Sequence, residues 1–213
     1  MPKLYIVHYE EDPEAIVQFR MHCRCLWEDH VIYVARAITS IIADMVDINA
    51  ISDRLTKNAV ELGSVLATYH GDGYGTQLTD LLKAHIANVV DTVGAIKAGA
   101  STTELNSKSL DHIMAVADVL SSLDPKNWPR DAVISLFTNH LACTTKQATD
   151  RVAREWVSDI AAFDECIMGI RAIADVFANG IVDKFPEKFI RYEEWRSPTA
   201  GGKLSVTGYT GSR

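Results

Sequence analysis

Apolar residues recur along this chain at intervals of three and four, the spacing that lines one face of an α-helix. Trp27, His30, Val34, Ile38, Ile41 and Met45 form the first such stripe. Leu55, Leu62, Val65 and Leu66 form the next, and Leu78, Leu81/Leu82, His85, Val89, Thr92/Val93 and Ile96 a third. Leu110, Ile113, Val116/Ala117, Leu120 and Leu123 continue the pattern, followed by Val133, Phe137, His140/Leu141, Thr144 and Ala148. The last stripe, Trp156, Ile160, Phe163, Ile167, Ile170, Ala174 and Phe177, has the cleanest period.

Punctuation between the stripes sets the helix ends. Pro13 suits a first helical position, and a short helix is expected from there to about Arg24, ahead of the first long one. Asp47-Ile48-Asn49 reads as an end and Ser52-Asp53 as a cap. His70-Gly71-Asp72-Gly73-Tyr74-Gly75 reads as a loop. Gly99 ends a helix, and Ser101-Thr102-Thr103-Glu104 has the form of a capping box. Asp124-Pro125 and Asn127-Trp128-Pro129 separate the fourth and fifth helices. No Gly or Pro lies between Asp131 and Cys166, so the last turn is placed near 149–154 on length alone.

His30, His85 and His140 stand 55 residues apart each time, and each falls at or beside an apolar seam. Val65-Leu66, Val119-Leu120 and Val176-Phe177 repeat at 54 and 57 residues. A period of this size predicts stacked helical hairpins. The expectation is an all-α bundle of about six main helices, built as three degenerate hairpins of about 55 residues. Residues 1–24 would be an N-terminal arm and short helix, with Leu4-Tyr5-Ile6-Val7 a short strand or extended arm. Residues 25–186 would be the bundle domain, and residues 187–213 a tail, Gly/Ser/Thr-rich from 197 on, that a neighbouring subunit could hold.

Composition narrows the function classes. A net charge of −7 without a basic stripe argues against nucleic-acid binding. No apolar run is long enough to span a membrane, and acidic residues follow the first apolar segment too soon for a signal peptide. Four cysteines, few and irregularly spaced, fit a reducing cytoplasmic setting better than a disulfide framework. A homodimer is the candidate assembly.

Parallel packing of the hairpins would bring His30, His85 and His140 to equivalent heights near one axis. Three imidazoles are a common donor set for zinc, copper or iron, with a fourth position left over. Asp159 and Asp164, flanking the last stripe, are the acids expected to ligate or support the ion, with Glu28 next. The competing reading is a non-catalytic scaffold whose histidines are core residues. His22-Cys23-Arg24-Cys25 is a weaker metal feature, because two cysteines at i, i+2 diverge on a helix. Cys143 follows His140 by three and shares its face, as an extra ligand or a small core residue. His112 stands near the seam of its own helix. No nucleotide-binding, zinc-protease or serine-hydrolase motif is present, so no nucleotide cofactor is expected and no reaction is named.

Leu26-Trp27-Glu28-Asp29-His30, Leu81-Leu82-x-x-His85, His140-Leu141 with Thr144, and Asp159-Ile160-x-x-Phe163-Asp164 form a set of landmarks, completed by Ala174-Asp175, Gly180-Ile181-Val182 and Phe185-Pro186. In combination they resemble a family of uncharacterised all-helical bacterial proteins with relatives in large DNA viruses. The resemblance covers roughly residues 25–186. It implies a helical core in which the histidine positions matter, and it supplies no reaction. Where the family pattern carries Asn-Ala-Asp, this chain has His112-Ile113-Met114.

Overall fold

The computed structural model describes residues 8–193. Six long helices account for most of them: α1 (Pro13–Ile42), α2 (Ile48–His70), α3 (Asp72–Ala98), α4 (Thr103–Leu123), α5 (Arg130–Val152) and α6 (Trp156–Lys184). A two-stranded antiparallel ribbon, β1 (His8–Glu11) with β2 (Ile190–Glu193), ties the two ends of the described chain together. A 3-10 turn at Pro186–Phe189 leads into β2. The proposed strand at 4–7 and the tail from 197 on lie outside the described residues.

The all-α expectation holds, and the packing has a simple order. The odd-numbered helices α1, α3 and α5 touch one another around the centre of the bundle. Each even helix packs between two of them: α2 against α1 and α3, α4 against α3 and α5, α6 against α5 and α1. One hydrophobic core joins all six, from Trp27 and Ile38 on α1 to Ile170 and Ile181 on α6.

Several boundaries depart from the expected ones, each for a local reason. Residues 13–42 are one uninterrupted helix, so the break near Arg24 and the domain boundary drawn there are not features of the fold. The side chain of Asp12 accepts from the backbone N–H groups of Glu14 and Ala15, which starts this helix at Pro13. At its other end Lys97 donates to the Ile41 carbonyl at 2.7 Å, placing a cation where the helix dipole favours one. The cap expected at Ser52-Asp53 instead lies inside α2, which begins at Ile48.

The glycine cluster after His70 is not an open loop. Only Gly71 lies between α2 and α3, with φ of 93°, while Gly73 and Gly75 are helical. A Cβ on Gly75 would come within 2.5 Å of the Ala67 Cβ and 2.6 Å of the Gly63 carbonyl oxygen. Small residues here let two helices cross almost backbone to backbone, so glycine serves packing as well as the turn. The capping box also fails to close: the N-cap Thr102 side chain accepts from the Asn106 amide and not from a backbone N–H, and Glu104 pairs with Lys108 one turn on.

The first turns of α6 depart from the predicted buried face, and its second half keeps it. Trp156 and Ile160 are 54% and 63% exposed, whereas Ile170, Ala174 and Phe177 of the predicted stripe are buried, joined by Ala162, Cys166 and Ile173. The turn at 153–155, close to where length placed it, explains the shift. Arg151, at the end of α5, bonds Asp159 at 2.6 Å and lies over the Trp156 ring, so an ion pair takes the inner position and the indole the outer one. Fifth and sixth helices are further joined by a disulfide between Cys143 and Cys166, which the expectation of a chain without disulfides did not contain.

Candidate metal centre

His30, His85 and His140 come from α1, α3 and α5, the three central helices. Their ring centroids are 5.8 Å apart for His30 and His85, 5.7 Å for His30 and His140, and 6.3 Å for His85 and His140. One nitrogen from each ring can be chosen so that all three lie within 4.8 Å of one another. Zinc–imidazole bonds of about 2.0–2.1 Å put tetrahedral donor atoms about 3.3 Å apart, so small side-chain movements would bring the nitrogens onto one ion.

Burial makes these imidazoles unusual. His30 and His140 are 2% and 3% exposed, and His85 is half-buried. Nδ1 of His30 and both ring nitrogens of His140 have no hydrogen-bond partner among the described residues. A buried polar atom without a partner costs about 1–3 kcal/mol, so a core histidine normally has one. Desolvation first, and then the neighbouring imidazoles, hold all three pKa values down to about 3. The rings are therefore neutral at ordinary pH, the protonation state in which a histidine ligates a metal.

The surroundings are mainly aromatic and amide. Trp27 meets His30 edge-on at 6.3 Å and also packs against Phe137 and Phe177. Asn58 on α2 donates its amide to the Leu26 carbonyl. Its oxygen makes no well-formed hydrogen bond, yet Asn58 sits close enough to His30 to favour the ring's charged form against burial. His112 on α4 faces His85 and opposes its protonation, so it is a fourth histidine at the margin of the group. Thr144, one turn beyond His140, returns its hydroxyl to the His140 carbonyl at 2.9 Å.

The acids expected beside the histidines are elsewhere. Asp159 is buried but bound to Arg151, and Asp164 is exposed on the outer side of α6. Glu28 accepts from Arg171 at 2.6 Å. None of the three belongs to the triad, because each lies on a part of its helix that faces a neighbouring cation or solvent. The His22–Cys25 segment is likewise dispersed along α1. Cys23 is buried with its thiol pushed up to about 12, whereas His22 and Cys25 are exposed. Two residues of the site were not singled out as site residues from sequence, Asn58 and Cys166. A lone Asn within an apolar stripe and a cysteine 23 residues beyond another give no spacing signal.

The chain matches no family model, no curated protein and no solved structure. The family resemblance therefore rests on its landmark residues alone.

Proposed function

We propose that this protein binds one transition-metal ion, zinc, copper or iron, through His30, His85 and His140. One observation carries the reading: three imidazoles from three different helices meet, and Nδ1 of His30 and both ring nitrogens of His140 have no hydrogen-bond partner among the described residues. Neutral rings need no proton displaced before they ligate, and the bundle holds them close together beforehand. Three protein nitrogens leave a fourth position for water or a substrate atom, where the ion would act as a Lewis acid or lower the pKa of bound water. A cytoplasmic setting belongs to the same reading. No helix among the described residues is long and apolar enough to cross a membrane.

Elemental analysis of tag-free protein, beside a His30→Ala/His85→Ala variant, tests it. Near-stoichiometric metal in the wild type and none in a variant that keeps its helical signal is the expected result. No metal in either, after incubation with zinc, copper and iron, overturns it.

A second reading, a scaffold that pairs with another copy of itself, draws on the exposed Trp156, Val157, Ile160 and Met168 of α6. Solution mass discriminates: a monomer at micromolar concentration rejects the homodimer.

A further inference from the structure

A second set of donor atoms shares His140. Cys143 follows it by one turn on α5, and Cys166 faces both from α6, with Cα atoms of the two cysteines 5.6 Å apart. His140, Cys143 and Cys166 are all buried, and one ligand atom from each lies within 4.8 Å of the others. The Cys143 sulfur is 3.1 Å from the His140 carbonyl oxygen, a contact that becomes a hydrogen bond only when the sulfur carries a proton. Thr144 Oγ1 lies 3.8 Å from the Cys166 sulfur. The other two cysteines form no such group among the described residues.

We propose that His140, Cys143 and Cys166 form a sulfur-rich metal site that exists only when the Cys143–Cys166 bond is reduced, so that the redox state of this pair selects which donors hold the ion. The sulfur site stands on its own geometry, while the selection rests on the histidine-triad reading. A thiolate pair with one imidazole suits a soft or borderline cation, zinc(II) or copper(I). Neutral imidazole has a single lone pair, so His140 serves one ion at a time. Reduced protein offers one nitrogen and two sulfurs; oxidised protein offers the three nitrogens alone.

The chemistry balances without any group beyond those named. On binding a divalent ion, two thiols lose two protons and form two metal–sulfur bonds. A low-molecular-weight disulfide reverses this by exchange. Cys143, the more exposed of the pair at 8%, attacks it, forming a mixed disulfide and expelling one thiolate. Cys166 then attacks the Cys143 sulfur, expelling the second thiolate and the metal. One small disulfide becomes two thiols as two protein thiols become one disulfide.

Cobalt(II) titration of the full chain, reduced by a phosphine or oxidised by glutathione disulfide, tests the proposal, since thiolate ligation gives a near-ultraviolet charge-transfer band that nitrogen ligation lacks. Free-thiol counts of four and two confirm the two states. The expected result is the band in reduced wild type and in His85→Ala, and cobalt bound without it in oxidised wild type and in Cys143→Ser/Cys166→Ser. A band that is missing from reduced wild type, or that survives in the double serine variant, overturns the sulfur site. A band in reduced wild type, with no cobalt bound by oxidised wild type, leaves the sulfur site standing and sinks both the selection and the triad. The comparison of the two redox states of the wild type needs no variant to fold.

Discussion

Acid should unfold the metal-free protein at a pH where most small domains are still stable, and the histidine triad is the reason. Each ring titrates near 6.5 in the unfolded chain and is held at about 3 in the fold. The folded pKa is the lower one, so the unfolded state binds more protons throughout that window and stability falls as pH drops below about 6.5. One pH unit beneath the unfolded value, each fully buried histidine costs about 1.4 kcal/mol. His30 and His140 together cost about 3 kcal/mol at pH 5.5, and half-buried His85 raises that toward about 4. Against a total stability of about 5–15 kcal/mol, the loss is large, and it roughly doubles by pH 4.5. The assay is urea unfolding followed by circular dichroism at pH 7.5, 6.5, 5.5 and 4.5 with chelator present. His140→Leu should flatten the pH dependence by about a third even where it lowers stability overall. A free energy that stays level from pH 7 to 5 would refute the reasoning, since it would mean the rings are hydrated or paired.

Added zinc should raise the melting temperature of the wild type at pH 7. At a hundredfold excess over the dissociation constant the gain is about 2.7 kcal/mol, and in His30→Ala/His85→Ala it should vanish. Differential scanning calorimetry reads both. Arg151→Ala removes the partner of an Asp159 that is only 4% exposed, and should cost about 3–5 kcal/mol by leaving a buried carboxylate unpaired. Asp159→Asn/Arg151→Met should recover part of that loss in the same denaturation assay. Gly75→Ala places a methyl group 2.6 Å from a backbone oxygen that cannot swing aside. The overpacking cost of about 1–3 kcal/mol should outweigh the helix-propensity gain of about 1 kcal/mol, and a stabilised variant would contradict the close crossing of α2 and α3.

The histidine convergence was legible because two periods reinforce each other. A 3.6-residue pattern placed each ring on an apolar face, and the 55-residue spacing matches their places on alternate helices, α1, α3 and α5. The cyclic packing of α1, α3 and α5, with an even helix in each groove, then brings equivalent faces to the centre. Pairings between helices carry no such period. Asp159 reads as an acid able to support the histidines until Arg151 is known to sit across the turn, and around that contact the first turns of α6 leave Trp156 and Ile160 outside. Gly73 and Gly75 read as loop because glycine signals a turn and a close helix crossing with the same letter. Cys166 could not be matched to Cys143 from sequence, since their approach depends on the turn that no Gly or Pro marks.

The same buried imidazoles that weaken the metal-free fold also favour a metal over the scaffold reading. If the rings were only core residues inherited by repetition, their polar nitrogens would be a pure cost, and leucine at all three positions would fill similar space without it. Three ring nitrogens left unsatisfied in His30 and His140 would together cost about 3–9 kcal/mol, comparable with the stability of a whole domain. An amide and a hydroxyl could have reduced that cost, yet Asn58 spends its donor on the Leu26 carbonyl and Thr144 spends its own on the His140 backbone. The polar groups nearest the triad thus fix the helices that carry the rings and leave the nitrogens available. Substituting all three histidines with leucine separates the readings directly. A scaffold should gain stability and keep its assembly, whereas a metal protein should lose its ion and, at neutral pH with zinc present, fall below the wild type.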